Sequence, residues 1–288
     1  MRKKLSKHIG GQLGSGSSSV IRGRIMYMIK ISCRTSIISI TGAVLLSAGA
    51  FATVTYANHS WGSYHWARTA DIFTLKLGDN VSSAWDGYLT TASTDWNVSS
   101  VLDTTIVSSG SNRNCRPVNG RVEVCNNKYG NNGWLGIAQI WVSGSHITQG
   151  TVKLNDTYFN KPAYNTPAWR RLVMCQEIGH TFGLDHQDEA FNNVNLGTCM
   201  DYTSNPSGPL SNEHPNAHDY EQLGLIYSHL DGASTISQKV SSEQDRNEIE
   251  GVTGRDRVSR VDDRGRPAVY ERELGRGEKI FTFVIWAE

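Results

Sequence analysis

The first 57 residues of this chain contain no aspartate or glutamate, although they hold eight lysines and arginines. The formal net charge of +1 therefore hides an uneven distribution. Beyond residue 57, 20 of the 28 basic residues stand against all 27 acidic ones, a net charge of −7. A domain this acidic has no general electrostatic attraction for nucleic acid, so we expect no nucleic-acid partner.

The sequence also lacks any C-x-x-C pair, which argues against a structural zinc site built from cysteines. Of its five cysteines, Cys33 lies in the basic leader. The remaining four are an even number, as expected for two disulfides in an exported protein, and allow three pairings: Cys115, Cys125, Cys175 and Cys199. A bond between Cys115 and Cys125 would close a loop rich in glycine and asparagine.

Residues 1–57 have the layout of a leader with a secretory signal. Lys30 and Arg34 precede an uncharged, largely apolar run that ends in small residues near Ala57. Cleavage after Ala57 is favoured over cleavage after Ala50 or Ala52, and an uncleaved membrane anchor is the alternative. Cleavage predicts a secreted, extracellular protein with no stable membrane association.

Hydrophobic periodicity predicts an α+β domain over residues 58–231. Strands are expected in 70–77, 101–107, 134–142 and 151–154, and residues 108–133 are expected to form a loop. Helices are expected over Trp85–Trp96 with Ser83 as N-cap, from Thr166-Pro167, and from near Asn216.

The chain changes character after residue 231. Residues 232–260 are polar and poor in apolar side chains, which predicts a linker. Residues 261–288 contain two strand-like runs around Gly275-Arg-Gly277 and are expected to form a small C-terminal β-hairpin. A lone hairpin is marginal in water, so we expect it to pack on the preceding domain or on a partner.

The residues best suited to chemistry lie between positions 175 and 202. Residues 176–186 read Q-E-I-G-H-T-F-G-L-D-H, which matches H-E-x-x-H-x-x-G-x-x-H at every fixed position except the first. Positions 176 and 180 share one helix face, with Glu177 beside them. Gly183 permits a sharp helix end, which would return His186 to the same point. This spacing predicts one Zn²⁺ held by Gln176, His180 and His186, with Glu177 as general base.

This motif resembles the zinc-binding motif of the metzincin metallopeptidases, closest to the matrixins. The resemblance implies a zincin fold with a twisted mixed sheet, an active-site helix, a Met-turn and a C-terminal helix. It implies that Met200 is the Met-turn residue, that Tyr202 steadies the oxyanion, and that Cys175 pairs with Cys199. It further implies that the strand at 134–142 forms the cleft edge that binds extended substrate.

Gln176 is the departure from the family pattern. Its amide oxygen is a poorer zinc donor than imidazole nitrogen, but it is equally neutral. We therefore expect a monomeric zinc metalloendopeptidase that hydrolyses protein or peptide substrates through a zinc-activated water. Two alternatives stay open: an inactive pseudo-peptidase that binds extracellular protein, and a zinc hydrolase with another substrate class. His214 is a reserve ligand if Gln176 does not bind.

Overall fold

The computed structural model describes residues 58–109, 114–237 and 256–288. The predicted leader, 1–57, and residues 238–255 of the predicted linker lie outside these ranges. Within the described residues, no helix has the length and apolar character needed to cross a bilayer.

A mixed β-sheet forms the framework of the molecule. Its strand order is β3-β2-β4-β6-β5-β9-β8-β7, and β1 also pairs with β6. Strands β1 to β4 run parallel to their partners, whereas β5 is antiparallel to both of its neighbours, β6 and β9. The strands are β1 His65–Trp66, β2 Phe73–Asn80, β3 Leu102–Ser108, β4 Val122–Asn127, β5 Trp134–Ser143, β6 His146–Asn155, β7 Arg257–Val261, β8 Pro267–Gly275 and β9 Glu278–Trp286.

The helices of the described residues are α1 Asp86–Trp96, α2 Asp156–Phe159, α3 Pro167–His180 and α4 Ala217–Ile226. Helix α3 begins as its sequence predicts: the Thr166 hydroxyl accepts a hydrogen bond from the Trp169 N–H at 3.3 Å, and Pro167 fills the first turn. Helix α4 begins with a capping box between Asn216 and Asp219. The result is a mixed α+β fold.

The main hydrophobic core holds α3 in place between the sheet and α1. Trp66, Trp85 and Trp96 are fully buried in it. The Trp96 indole donates to the Cys175 carbonyl at 3.2 Å, and the Trp66 indole donates to the Thr181 carbonyl at 2.8 Å. Each bond satisfies a polar group that burial would otherwise penalise, so α3 is fixed in position as well as packed.

The structure differs from the sequence-based expectations at three places in this framework. Residues 122–127 form strand β4 inside the predicted loop, because Val122 and Val124 fill the core between β2 and β6. Ser83 does not cap α1; Trp85 occupies the N-cap position without a side-chain hydrogen bond. The C-terminal region gains a strand, β7, that starts at Arg257 within the predicted linker.

The largest difference concerns β5, which was expected to be a cleft edge. Strand β9 pairs with it along its length, from Trp134 opposite Trp286 to Ser143 opposite Glu278. The predicted C-terminal hairpin is thus β8 and β9, and it continues the main sheet instead of standing as an appendage. Backbone groups on an open sheet edge favour this kind of strand addition.

Candidate active site

Helix α3 places three of the predicted site residues on its last turns. Gln176, Glu177 and His180 are all buried. Residues four apart lie on the same helix face, which puts Gln176 and His180 side by side. The helix ends immediately after His180.

Gly183 makes the turn that follows α3. Its φ is +96°, and a β-carbon at this position would lie 2.4 Å from the Tyr64 carbonyl oxygen. A side chain is therefore excluded twice, by backbone conformation and by space. The Asp185 N–H then donates to the His59 carbonyl at 2.6 Å, which directs the chain back towards α3.

His180 and His186 meet at the end of this turn. Their Nε2 atoms lie 2.9 Å apart, and the two rings are nearly perpendicular. The His180 Nδ1 lies 2.9 Å from the Leu184 carbonyl oxygen, and the His186 Nδ1 lies 2.9 Å from a Glu189 carboxylate oxygen. Both Nδ1 atoms are thereby assigned as the N–H donors, which leaves a lone pair on each Nε2. Two lone pairs that face each other at this distance need a cation or a proton between them.

Burial keeps both imidazoles neutral. It lowers the pKa of His180 well below its usual range, and the neighbouring His186 lowers it further. Burial also lowers the pKa of His186 to about 3, although the carboxylate of Asp185 acts in the opposite direction. Neutral imidazole is the form that binds metal ions, so the pair is prepared for coordination.

Glu177 is buried with both carboxylate oxygens lacking a hydrogen bond of normal geometry. Burial raises its pKa well above the usual range, and the backbone N–H of Ala138 only partly offsets this effect. Gly136 of β5 makes the close approach possible, because a β-carbon there would lie 2.6 Å from Glu177 Oε1. A buried acid with so little hydrogen bonding is costly, as expected for a group kept for a reaction.

Gln176 is tied to the predicted Met-turn. Its Nε2 donates to the Cys199 carbonyl at 2.8 Å, whereas its buried Oε1 has no hydrogen-bond partner. Cys199 also forms a disulfide with Cys175, the residue before Gln176. The second disulfide joins Cys115 to Cys125, so both pairings expected from the sequence are present.

Met200 packs directly beneath α3. A β-carbon on Gly179 would lie 2.6 Å from the Met200 Sδ and 2.8 Å from the Trp96 ring. Met200 is fully buried, and its carbonyl accepts from the Gln187 N–H at 2.6 Å. The turn therefore touches both the helix and the loop that carries His186.

Tyr202 is buried beside His186, with ring centroids 4.3 Å apart. Its hydroxyl donates to the Val284 carbonyl of β9 at 3.1 Å. The neighbouring Phe283 stacks on the His180 ring, with centroids 4.4 Å apart and planes 8° from parallel. The C-terminal strand thus lies against the two histidines.

Arg260 of β7 connects the C-terminal region to the His186 loop. Its guanidinium forms a two-pronged ion pair with Asp185, and its Nε lies 2.8 Å from Glu189 Oε1. The sequence carries no local sign of this role, since Arg260 lies in a stretch rich in charge. Gly136 is different: an isolated glycine inside an apolar strand is a recognised sign of a close approach.

A buried chain of hydrogen bonds connects the start of the domain to the Met-turn. His59 Nε2 lies 3.0 Å from Asp219 Oδ1, and the Thr198 hydroxyl donates to Asp219 Oδ2 at 2.5 Å. The predicted reserve ligand His214 is engaged elsewhere, with its Nδ1 2.6 Å from Asp95 Oδ2.

These residues fit a zinc ion. The unsatisfied atoms are the Nε2 lone pairs of His180 and His186, the Gln176 Oε1 and the carboxylate of Glu177. Two neutral imidazoles and one neutral oxygen form a donor set that Zn²⁺ accepts, and the set leaves a position open.

No family model matches the sequence, and a comparison with curated proteins found no match. Among solved structures, the chain is similar to high choriolytic enzyme 1, a hatching enzyme zinc-protease from the medaka fish Oryzias latipes. The identity is 11%, the TM-score is 0.32, and the match covers 58% of this chain and 96% of that chain. A likeness this weak adds no argument to those drawn from the site.

Proposed function

We propose that this protein is a zinc-dependent endopeptidase of metzincin type, with His180, His186 and Gln176 as metal ligands and Glu177 as general base. One observation carries the proposal: the Nε2 lone pairs of the two buried histidines face each other at 2.9 Å. The unpartnered carboxylate of Glu177 follows Gln176 on the same helix. Glu177 is the only acidic residue of α3.

Glu177 performs the proton transfers in this proposal. Zinc, when bound, supplies a Lewis acid that lowers the pKa of a water molecule towards about 7. Burial makes the Glu177 carboxylate a stronger base than an exposed one. Its carboxylate accepts the proton of the attacking water and then delivers that proton to the nitrogen of the leaving amine.

Tyr202 and β5 orient the substrate. The Tyr202 hydroxyl already donates to a peptide carbonyl, that of Val284. Burial raises its pKa well above the usual range, so the hydroxyl keeps its proton and acts as a donor. An extended substrate would pair its backbone with β5 in the place that β9 holds in this structure.

The proposed location is extracellular. Two disulfides among the described residues favour an oxidising compartment. The leader-like residues 1–57 favour export.

The experiment that tests this function is cleavage of a mixed peptide library by the full chain, loaded with zinc. Glu177→Gln should lower the rate by about 10²- to 10⁴-fold, the usual contribution of a general base, while zinc content stays the same. Glu213→Gln, which alters an ion pair with Arg171 and a hydrogen bond from the Ser211 hydroxyl, is the matched control and should cleave at the wild-type rate.

A binding module without catalytic activity is the second candidate, and the amide at position 176 favours it. A folded, zinc-loaded chain that binds extended peptides but cleaves none would replace the peptidase with this module. Cleavage of esters or sugars in place of peptides would redirect the proposal to another zinc hydrolase.

A further inference from the structure

Three histidines that are distant from one another in sequence surround one carboxylate oxygen of Asp231. The Nε2 atoms of His65 and His146 each lie 3.3 Å from Asp231 Oδ1, and the Nε2 of His229 lies 3.6 Å from it. His65 and His146 are paired residues of neighbouring strands β1 and β6. His229 and Asp231 follow helix α4.

Hydrogen bonding by neutral rings does not account for this arrangement. The His65 Nδ1 lies 2.7 Å from the Ser63 carbonyl oxygen and is therefore its N–H donor, which leaves a lone pair on Nε2 of the neutral ring facing the carboxylate. A hydrogen bond from that Nε2 to Asp231 needs a second proton on His65. The alternative is a cation held between the Nε2 atom and the carboxylate.

The spacing of three of these side chains fits a zinc ion instead. Ligand atoms about 2.0–2.1 Å from a tetrahedral zinc stand about 3.3–3.4 Å from each other. The His65 and His229 Nε2 atoms lie 3.3 and 3.6 Å from Asp231 Oδ1, and the ligand atoms of these three residues all lie within 4.8 Å of one another. His146 does not belong to this set. Asp231 Oδ2 is already held by the Arg68 N–H at 2.9 Å, which leaves Oδ1 for the metal.

We propose that His65, His229 and Asp231 bind a second Zn²⁺, separate from the candidate active site. The ion would join β1 to the segment after α4, and so would clamp the two ends of residues 58–231 together.

Zinc stoichiometry of the purified full chain tests this site, after dialysis against buffered Zn²⁺. His229→Ala is the informative variant, because this side chain is 54% exposed and its loss should not unfold the protein. His214→Ala removes another histidine that is paired with a carboxylate, Asp95, and serves as the matched control.

We expect the His229 variant to hold one zinc fewer than the wild type, with affinity at the second site weakened by more than about tenfold. The His214 variant should match the wild type. A His229 variant that folds, by circular dichroism, and retains the full zinc content would overturn the site. A failure of the candidate active site alone would show differently, as one zinc in the wild type and none in the His229 variant.

A different observation carries a second inference, which rests on the proposed function: β9 occupies the position of a substrate. It pairs antiparallel with β5, its Val284 carbonyl accepts from Tyr202, and its Phe283 ring covers His180. An extended peptide substrate would need the same three contacts: backbone hydrogen bonds to β5, a carbonyl that accepts from Tyr202, and a side chain beside the proposed metal ligands.

Because β9 is already paired with β5, no room is left there for a substrate strand. Glu177 and His180 are at most 1% exposed with β9 in place. The C-terminal residues 257–288, which include β7, β8 and β9, are anchored at both ends. Near the first end, Arg260 of β7 pairs with Asp185. At the other end, the Tyr164 hydroxyl donates to the Glu288 carbonyl at 2.7 Å. We infer that the β8–β9 hairpin is an autoinhibitory segment that must leave β5 before substrate binds.

Locking the hairpin in the full chain tests this inference. Gln139→Cys/Thr282→Cys introduces a disulfide between paired residues of β5 and β9. Ser143→Cys/Glu278→Cys locks the exposed end of the same pair of strands and serves if the buried lock does not fold. Glu273→Cys/Lys279→Cys is the matched control, because it joins β8 to β9 without joining either strand to β5.

Peptide cleavage is measured in the oxidised and mildly reduced forms, and binding of a fluorescent extended peptide is measured in a Glu177→Gln background. The β5–β9 lock should slow cleavage and weaken binding at least about tenfold relative to its reduced form, whereas the control lock should change neither. Equal values in the two forms of the β5–β9 lock would overturn the inference. A lock that controls binding in a chain that never cleaves would uphold the gating and refute the peptidase.

Discussion

Gln176 differs from histidine in the atom that it offers to a metal. Its amide nitrogen donates to the Cys199 carbonyl, and its amide oxygen has no hydrogen-bond partner. In the proposed metal site, an oxygen donor therefore replaces the nitrogen donor of the family motif, and the charge of the site does not change. Zinc binds amide oxygen less strongly than imidazole nitrogen, which makes residue 176 the place to adjust affinity.

Gln176→His should tighten zinc binding by about tenfold or more, and Gln176→Ala should weaken it by a similar factor, since changes at metal sites commonly reach this size. Competition with a chelator of known affinity measures both. Gln222→Ala, another buried glutamine with an unpartnered oxygen, is the matched control on α4. Wild-type affinity in both Gln176 variants would remove this residue from the ligand set.

Asp201 should make stability depend on pH. Burial raises its pKa to about 6, and the hydrogen bonds from the Leu196 N–H and Asn212 only partly compensate. The folded chain then binds more protons than the unfolded chain, whose aspartate pKa is about 3.9, so the free energy of unfolding should fall as pH rises from about 4 to about 6.

Asp201→Asn removes this titration and should flatten that part of the curve. Urea unfolding at closely spaced pH values measures the slope for both chains. An unchanged slope in the variant would show that Asp201 does not titrate in this range.

At the scale of elements, the Cys175–Cys199 disulfide joins α3 to the Met-turn at the point where Gln176 bonds the Cys199 carbonyl. A bond over a separation of 24 residues should stabilise the fold by about 3 kcal/mol through the entropy of the unfolded chain. It also fixes the partner of a proposed ligand, so its loss should affect metal binding as well as stability.

Cys175→Ser/Cys199→Ser should therefore lower the free energy of unfolding and weaken zinc binding at the active site. Cys115→Ser/Cys125→Ser, which removes the other disulfide, is the matched control and should lower stability with little change in zinc affinity. Equal zinc affinities in the two double variants would separate the disulfide from the metal site.

The turn after α3 predicts a second effect on stability. Gly183→Ala places a β-carbon against the Tyr64 carbonyl at a positive φ and should cost at least about 1–3 kcal/mol. Gly224→Ala in α4 meets no atom within 4 Å and should be neutral or stabilise by up to about 1 kcal/mol. Urea unfolding compares them, and similar values for the two variants would contradict the assigned strain.

Elements with local signals were predictable from the sequence. The start of α3 follows from Thr166 and Pro167, and the turn after it follows from Gly183, because caps and positive φ depend on neighbouring residues. Strand β4 was missed because its short apolar run lies among asparagines and glycines. Its burial comes from β2 and β6, which are distant in sequence.

Contacts between distant segments were not predictable. The pairing of β5 with β9 joins residues about 140 positions apart, and the hairpin signal says nothing about its partner strand. The cluster around Asp231 was missed for the same reason: His65, His146 and His229 stand alone in the sequence, and only the fold assembles them.

On the scale of the whole molecule, metal binding should contribute to stability. A ligand that binds only the folded state stabilises it by about 2.7 kcal/mol at a concentration 100 times its Kd. Chelation should therefore lower the unfolding temperature of the wild type, and Zn²⁺ should restore it where Mg²⁺ does not. Equal unfolding temperatures with and without the chelator would mean that neither site holds zinc in the folded chain.

The buried position of His59 has a consequence for the working life of the protein. Its carbonyl holds the loop that leads to His186, and its ring bonds Asp219, which in turn bonds Thr198 of the Met-turn. We expect that aminopeptidase trimming of the proposed secreted chain past His59 would loosen the loop that carries His186 while most of the core stays folded. The durability of the proposed enzyme in a medium rich in exopeptidases would then depend on how well the first residues of the domain are shielded.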